Sequence, residues 1–185
     1  MMRELADNIL DIAQNSISAG ATLTTIAVSI RHDTNLVSLT FEDNGCGMPP
    51  EFVKAVTEPF TTTRKTRKVG LGLPLLHMTA DMTGGSFSIE SEVGKGTRVS
   101  VSFGLDHIDR PPLGDVAGAW FTLVFMNPDI DFLMIYEVDG ERFEFDTRVI
   151  RETVEPLALN EPEIAAWIRE CIATEIAQLH GGTFQ

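Results

Sequence analysis

"FEDNGCGMPPEF", residues 41–52, sets an acidic pair at the end of an apolar alternation, breaks the chain with two glycines, and resumes with two prolines. Asp43-Asn44-Gly45 is ordinary turn chemistry, because short polar side chains tolerate left-handed backbone and glycine takes positive φ without cost. A hairpin would account for that much. It does not account for Pro49-Pro50-Glu51 followed by Phe52, Val53, Ala55 and Val56, which reads as a helix start with proline where no amide donor is needed. The unit is strand, glycine turn, helix. At such a junction a ligand can approach the backbone closely while a strand-end carboxylate points at it.

The strand belongs to a set. Residues 22–31 place Ile26, Val28 and Ile30 on one side, and residues 35–42 place Val37, Leu39 and Phe41 on one side, with His32-Asp33-Thr34 as the turn. Phe87 and Ile89 alternate with Ser86, Ser88 and Glu90, and Val99, Val101 and Phe103 with Ser100 and Ser102, so Gly94-Lys95-Gly96 forms the tip of a second hairpin. Residues 3–18 read as an amphipathic helix carrying Leu5, Ile9, Leu10, Ile12, Ala13 and Ile17 on one side. Glu4, Asn8, Asp11 and Asn15 fall on a narrow polar stripe along the other, which by itself describes a solvated face. Half-buried strands with amphipathic helices give an α/β, two-layer sandwich: a mixed or antiparallel sheet with helices on one face.

Length and charge bound the function. With 185 residues and 43% hydrophobic content the chain can bury a real core. The most apolar stretch, 116–138, is broken by Asn127-Pro128-Asp129 and Asp131, so no membrane span is expected, and the charged start MMRELADNIL is no signal peptide. A cytoplasmic location follows as the expectation. Cys46 and Cys171 are expected to be free thiols and do not suggest a metal cluster. The net charge of -13 argues against nucleic acid as a main partner. That charge is uneven, with 9 Lys/Arg against 11 Asp/Glu in residues 1–103 and 5 against 16 in residues 104–185. We therefore expect a domain over 1–105, a linker at 106–115 containing Pro111-Pro112, and an acidic appendage over 116–185. The appendage reads as strands at 119–126, 131–138 and 141–146, then a helix after Asn160 burying Ile164, Trp167, Ile168, Cys171, Ile172, Ile176 and Leu179.

Against this acidic background, Arg64, Lys65, Arg67 and Lys68 crowd into five positions of "EPFTTTRKTRK". Gly70-Leu71-Gly72 then leads into an apolar helix beginning at Leu73. Backbone amides at a helix start, beside a basic Thr-rich loop, suit an anion such as phosphate.

Taken in order, "ILDIAQNSISAGAT", "DNGCGM", "EPFTTTRK", "GLGL" and "GKGT" resemble the N-box, first glycine box, F-box, second glycine box and third glycine box of the GHKL superfamily of Bergerat-fold ATP-binding domains. The likeness is strongest to the catalytic domain of histidine kinases. It covers about residues 3–103 and implies ATP and Mg2+ as ligands. Asp43 would accept from the adenine amine, with Gly45 and Gly47 allowing close approach. Thr97 would support the base, and Met48 and Phe60 would line its pocket. Asn15 would help hold magnesium, a hard ion suited to amide and phosphate oxygens. The amides around Gly70, Leu71, Gly72 and Leu73 would receive the phosphates, with Arg64 or Lys65 reaching the outer ones. Asp11 stands where many GHKL ATPases carry a glutamate base and histidine kinases often an asparagine, so it departs from both patterns. Its role is catalytic or, alternatively, structural or metal-directed.

The N-box begins almost at Met1, so the expectation is a free-standing domain without the dimerising, phosphoacceptor hairpin. The implied activity is phosphotransfer in trans to a partner protein in bacterial signalling. An ATP-dependent binding switch with little turnover is the alternative, and simple hydrolysis a third.

Overall fold

The computed structural model describes residues 4–57 and 72–181. Its elements are α1 (Leu5–Ser18), β1 (Leu23–Arg31), β2 (Leu36–Asp43), α2 (Pro50–Thr57), α3 (Gly72–Met82), β3 (Ser86–Glu92), β4 (Gly96–Gly104), α4 (Val116–Met126), β5 (Asp131–Val138), β6 (Glu141–Asp146), α5 (Thr147–Val154) and α6 (Pro162–Leu179).

The strands form one sheet in the order β3-β4-β2-β1-β5-β6. Every pairing is antiparallel except β1 with β5, which is parallel, so the sheet is mixed. The strands of the acidic C-terminal region thus extend the same sheet as the N-terminal ones. Alternation sorts the faces: Ile26, Val28, Ile30, Val37, Leu39, Phe41, Val99, Val101, Phe103, Phe132, Met134 and Tyr136 point inward and are buried. Against them pack Leu5, Ile9 and Ile12 of α1, Leu76 and Ala80 of α3, Trp120 and Leu123 of α4, and Ile168 and Ile172 of α6. The two-layer α/β expectation holds. No helix among the described residues is long and apolar enough to cross a membrane.

Residues 119–126 are helical, not a strand. A continuous apolar run carries no period of its own, so packing decides it. Here Val116, Ala119, Trp120, Leu123 and Val124 are the buried positions, at helical spacing. Asp115 caps the helix by accepting from Gly118 N at 2.8 Å. Helix α5 was not foreseen; its start is marked by Asp146, which accepts from Arg148 N at 2.9 Å. Both strands β5 and β6 fall where alternation put them. In α6 the buried line is Ala165, Ile168 and Ile172. Trp167 lies one residue, or about 100°, off that line and is 49% exposed.

Residues 106–115 contain no helix or strand but are docked. The carbonyls of Pro112 and Leu113 accept from Leu5 N (2.8 Å) and Ala6 N (2.9 Å), satisfying two of the free amides at the start of α1.

Candidate functional site

The inward parity of four neighbouring strands turns polar at the same end of the sheet. In register, Ser91 of β3 faces Thr97 of β4, Thr97 faces Asp43 of β2, and Asp43 faces Thr24 of β1. Beyond these positions the inward side of each strand is apolar. The result is one polar row running from the edge toward the middle of the sheet, below α1.

Asp43 is held from two directions. Its Oδ1 accepts from Gly45 N at 2.8 Å, and its Oδ2 accepts from Ser16 Oγ at 2.8 Å. The first bond closes a turn in the loop; the second reaches across to α1, where Ser16 is buried. Both oxygens keep further lone pairs for a ligand. Asn44 fastens the same loop to the start of β1, its Oδ1 accepting from Thr22 N and Leu23 N at 2.9 and 3.0 Å.

Gly47 has φ +65°, and a Cβ built there would lie 2.0 Å from Glu92 O, so the loop rests backbone-to-backbone on the end of β3. Cys46 N donates to Ala19 O at 2.9 Å and Gly94 N donates to Cys46 O at 2.8 Å, tying the loop to the end of α1 and the β3–β4 turn. Met48, half-buried, donates its amide to Ser91 Oγ at 2.8 Å. Ser91 Oγ in turn stands 2.9 Å from Gly96 O and 2.8 Å from Thr97 Oγ1.

Asp11 lies at a second point of convergence. A Cβ on Gly72 would fall 1.9 Å from Asp11 Oδ2, which places the carboxylate directly against the first turn of α3. Asn15 is exposed one turn further along α1. Leu73 is half-buried against the core. Asp11 therefore sits beside the amide-rich end of α3, where the positive end of the helix dipole lies. Phe60, Arg64, Lys65, Gly70 and Leu71 lie outside the described residues.

Sequence reasoning did not single out Ser16, Thr24 or Ser91. The available signal was parity: each is a polar residue at a position whose neighbours two residues or one turn away are apolar. Thr24 Oγ1 is fully buried without a hydrogen-bond partner among the described residues. His77 stacks on Phe87 at 4.7 Å between ring centroids. A cavity of about 690 Å3 opens between residues 110–118 and the end of α6, and shares no residue with this set.

Comparison with known proteins agrees with this arrangement. Residues 1–107 match the family described as histidine kinase-, DNA gyrase B-, and HSP90-like ATPase. A protein named as a sensor in Shewanella frigidimarina is 35% identical over 109 residues, covering 58% of this chain and 17% of its own length. Sporulation kinase C of Bacillus subtilis is 32% identical over 94 residues, covering 51% of this chain and 22% of that protein. This chain therefore spans less than a quarter of either relative. The N-terminal domain of a DNA repair protein shares the fold, with a TM-score of 0.53 at 17% identity, over 77% of this chain and 52% of that one. With the family matched over more than half its length, this chain belongs to the histidine kinase-, DNA gyrase B- and HSP90-like ATPases, and its N-terminal part is an ATP-binding domain of the histidine-kinase-related kind.

Proposed function

We propose that residues 1–105 bind Mg-ATP and pass the γ-phosphate in trans to a side chain of a partner protein, as a kinase in bacterial two-component-type signalling. The observation that carries the reading is the Asp43 carboxylate, clamped within the polar row by Ser16 Oγ and Gly45 N. A fixed acceptor beside a glycine loop suits the exocyclic amine of adenine, and orientation is set before the ligand arrives. The base lies on this row, and the phosphates run toward α3, where Asp11 packs against Gly72.

Magnesium fits the donor chemistry. Asn15, exposed on α1 one helical turn from Asp11, offers an amide oxygen. Among the described residues no cluster of three or more His, Cys, Asp or Glu is placed to hold a metal. Such a poor protein donor set is consistent with an ion that arrives with the phosphates and keeps most of its water. Held with the help of Asn15, the ion when bound would supply charge neutralisation at the phosphoryl group. Asp11 then orients the incoming nucleophile of the partner side chain and accepts its proton. The acidic region 116–185 forms the surface that meets the partner, and the protein works without nucleic acid or membrane as a partner, in the cytoplasm.

Titration calorimetry with ATP tests the site: Asp43→Ala should lower affinity by more than about a hundredfold while the fold persists. Unchanged affinity would sink the assignment. Transfer from γ-labelled ATP to protein in a soluble extract tests the activity. Asp11→Asn should abolish the label while keeping nucleotide. A variant that still transfers removes Asp11 from the chemistry, and intact ATP in every mixture leaves a binding switch.

A further inference from the structure

The hydroxyl of Ser91 meets three polar groups at once. Met48 N donates to it at 2.8 Å, Gly96 O lies 2.9 Å away, and Thr97 Oγ1 lies 2.8 Å away. One atom thereby joins the first glycine loop, the turn between β3 and β4, and the polar row. A hydroxyl has a single hydrogen and two lone pairs. An amide can only donate and a carbonyl can only accept. Ser91 therefore takes the Met48 hydrogen and gives its own to Gly96, and the third contact closes with the Thr97 hydrogen. With that hydrogen committed, Thr97 presents lone pairs beside Asp43, its neighbour in register.

We propose that Ser91 is a positioning residue that holds Thr97 as a hydrogen-bond acceptor and so sets base selectivity, favouring a 6-amino purine over a 6-oxo purine. The inference rests on the nucleotide reading above. Two acceptors side by side, the Asp43 carboxylate and the Thr97 oxygen, suit an edge that brings amine hydrogens. A 6-oxo edge replaces the two amine hydrogens with an acceptor and offers a single N1 hydrogen, so it satisfies at most one of the two oxygens and leaves lone pairs opposed at the other. Released from Ser91, the Thr97 hydroxyl rotates and serves either edge, so the distinction weakens.

The test measures magnesium-nucleotide affinity by calorimetry with ATP and with inosine triphosphate, which carries a 6-oxo group and an N1 hydrogen. The full chain is compared with Ser91→Ala, Ser91→Thr, Thr97→Val and the Ser91→Ala/Thr97→Val double variant. The wild type should prefer ATP, and Ser91→Ala should narrow the ratio of affinities by about five- to tenfold, the scale of one hydrogen bond. Ser91→Thr keeps the hydroxyl and should restore the wild-type ratio. In the Thr97→Val background, Ser91→Ala should leave the ratio within about twofold, because the group it acts through is gone. An equal loss for both nucleotides would overturn the proposal, as would a narrowing that persists without the Thr97 hydroxyl. Either result makes Ser91 a support for the loop alone. A wild type that binds neither nucleotide overturns the nucleotide reading itself, and does so before any variant is compared.

Discussion

Ser16 Oγ donates to Asp43 Oδ2 at 2.8 Å, so the carboxylate at the end of β2 is anchored to the last turns of α1 as well as to its own loop. Ser16→Ala removes the longer-range of the two anchors while leaving the carboxylate in place. ATP affinity should fall about three- to tenfold, because an acceptor that must be ordered on binding recognises its ligand less well. Calorimetry on a variant with an unchanged circular dichroism spectrum reads this directly. Full affinity would reduce Ser16 to a space-filling role.

Thr24 carries the opposite defect. Its hydroxyl is completely buried and unpartnered among the described residues. Replacing it with valine, which has nearly the same shape, removes a desolvated polar group. Thr24→Val should stabilise the protein by about 1 kcal/mol, raising the melting temperature by roughly 2–4 °C. Destabilisation by the same amount would mean that the hydroxyl is satisfied in solution, for instance by a buried water.

Gly47 and Gly84 make a controlled pair. Both have positive φ, +65° and +72°, but a Cβ at Gly47 would run into Glu92 O at 2.0 Å, whereas at Gly84 it meets nothing within 4 Å. Gly84→Ala should therefore cost only the conformational strain, about 1–2 kcal/mol. Gly47→Ala must also push the loop off β3, and should unseat Met48 and abolish nucleotide binding. Thermal melts and ATP titrations on the two variants separate strain from collision; equal behaviour would refute the close approach.

The polar row shows how much of this was legible in the sequence. Period-two alternation located β1 to β6 closely, because each strand has one buried face and a one-residue slip would expose all of it. Asp43 and Thr97 come instead from the likeness of the glycine motifs to the GHKL boxes. Ser91 and Thr24 have the same parity as their apolar neighbours, yet nothing in a single strand announces which polar residues will line up with which. That depends on register between strands, a long-range property. The expected strand at 119–126 failed for a related reason. An unbroken apolar run is compatible with helix or strand, and the decision comes from burial against α1 and α6 rather than from local pattern.

Tyr136 and His180 predict a pH dependence. Tyr136 is buried, which pushes its phenol up to about 12, so it stays protonated over the working range; its oxygen lies 2.8 Å from His180 Nε2. Burial of His180, with a smaller contribution from the nearby His32, lowers its pKa below the ordinary value of 6.5. The unfolded chain then takes up the proton first on acidification. This contribution to stability is complete above about pH 6.5 and declines as pH falls from there toward the lower, folded value. Urea melts between pH 7.5 and 5.5 should show the decline, and His180→Gln should remove that component. A variant that retains the full slope would place its origin elsewhere.

The parallel pairing of β1 with β5 has a consequence for how the chain is made. Leu23 is matched with Asp131 and Ile30 with Val138, partners more than a hundred residues apart. On the ribosome, β1 can pair with β2 soon after it emerges, but its other edge waits until β5, more than a hundred residues later, has been synthesised. During that interval a β-rich edge beside the nascent nucleotide site lies open to other chains. The acidic C-terminal region thus completes the sheet late, and a ribosome stalled before residue 131 leaves a product with an unfilled edge, a species suited to capture by chaperones or to aggregation.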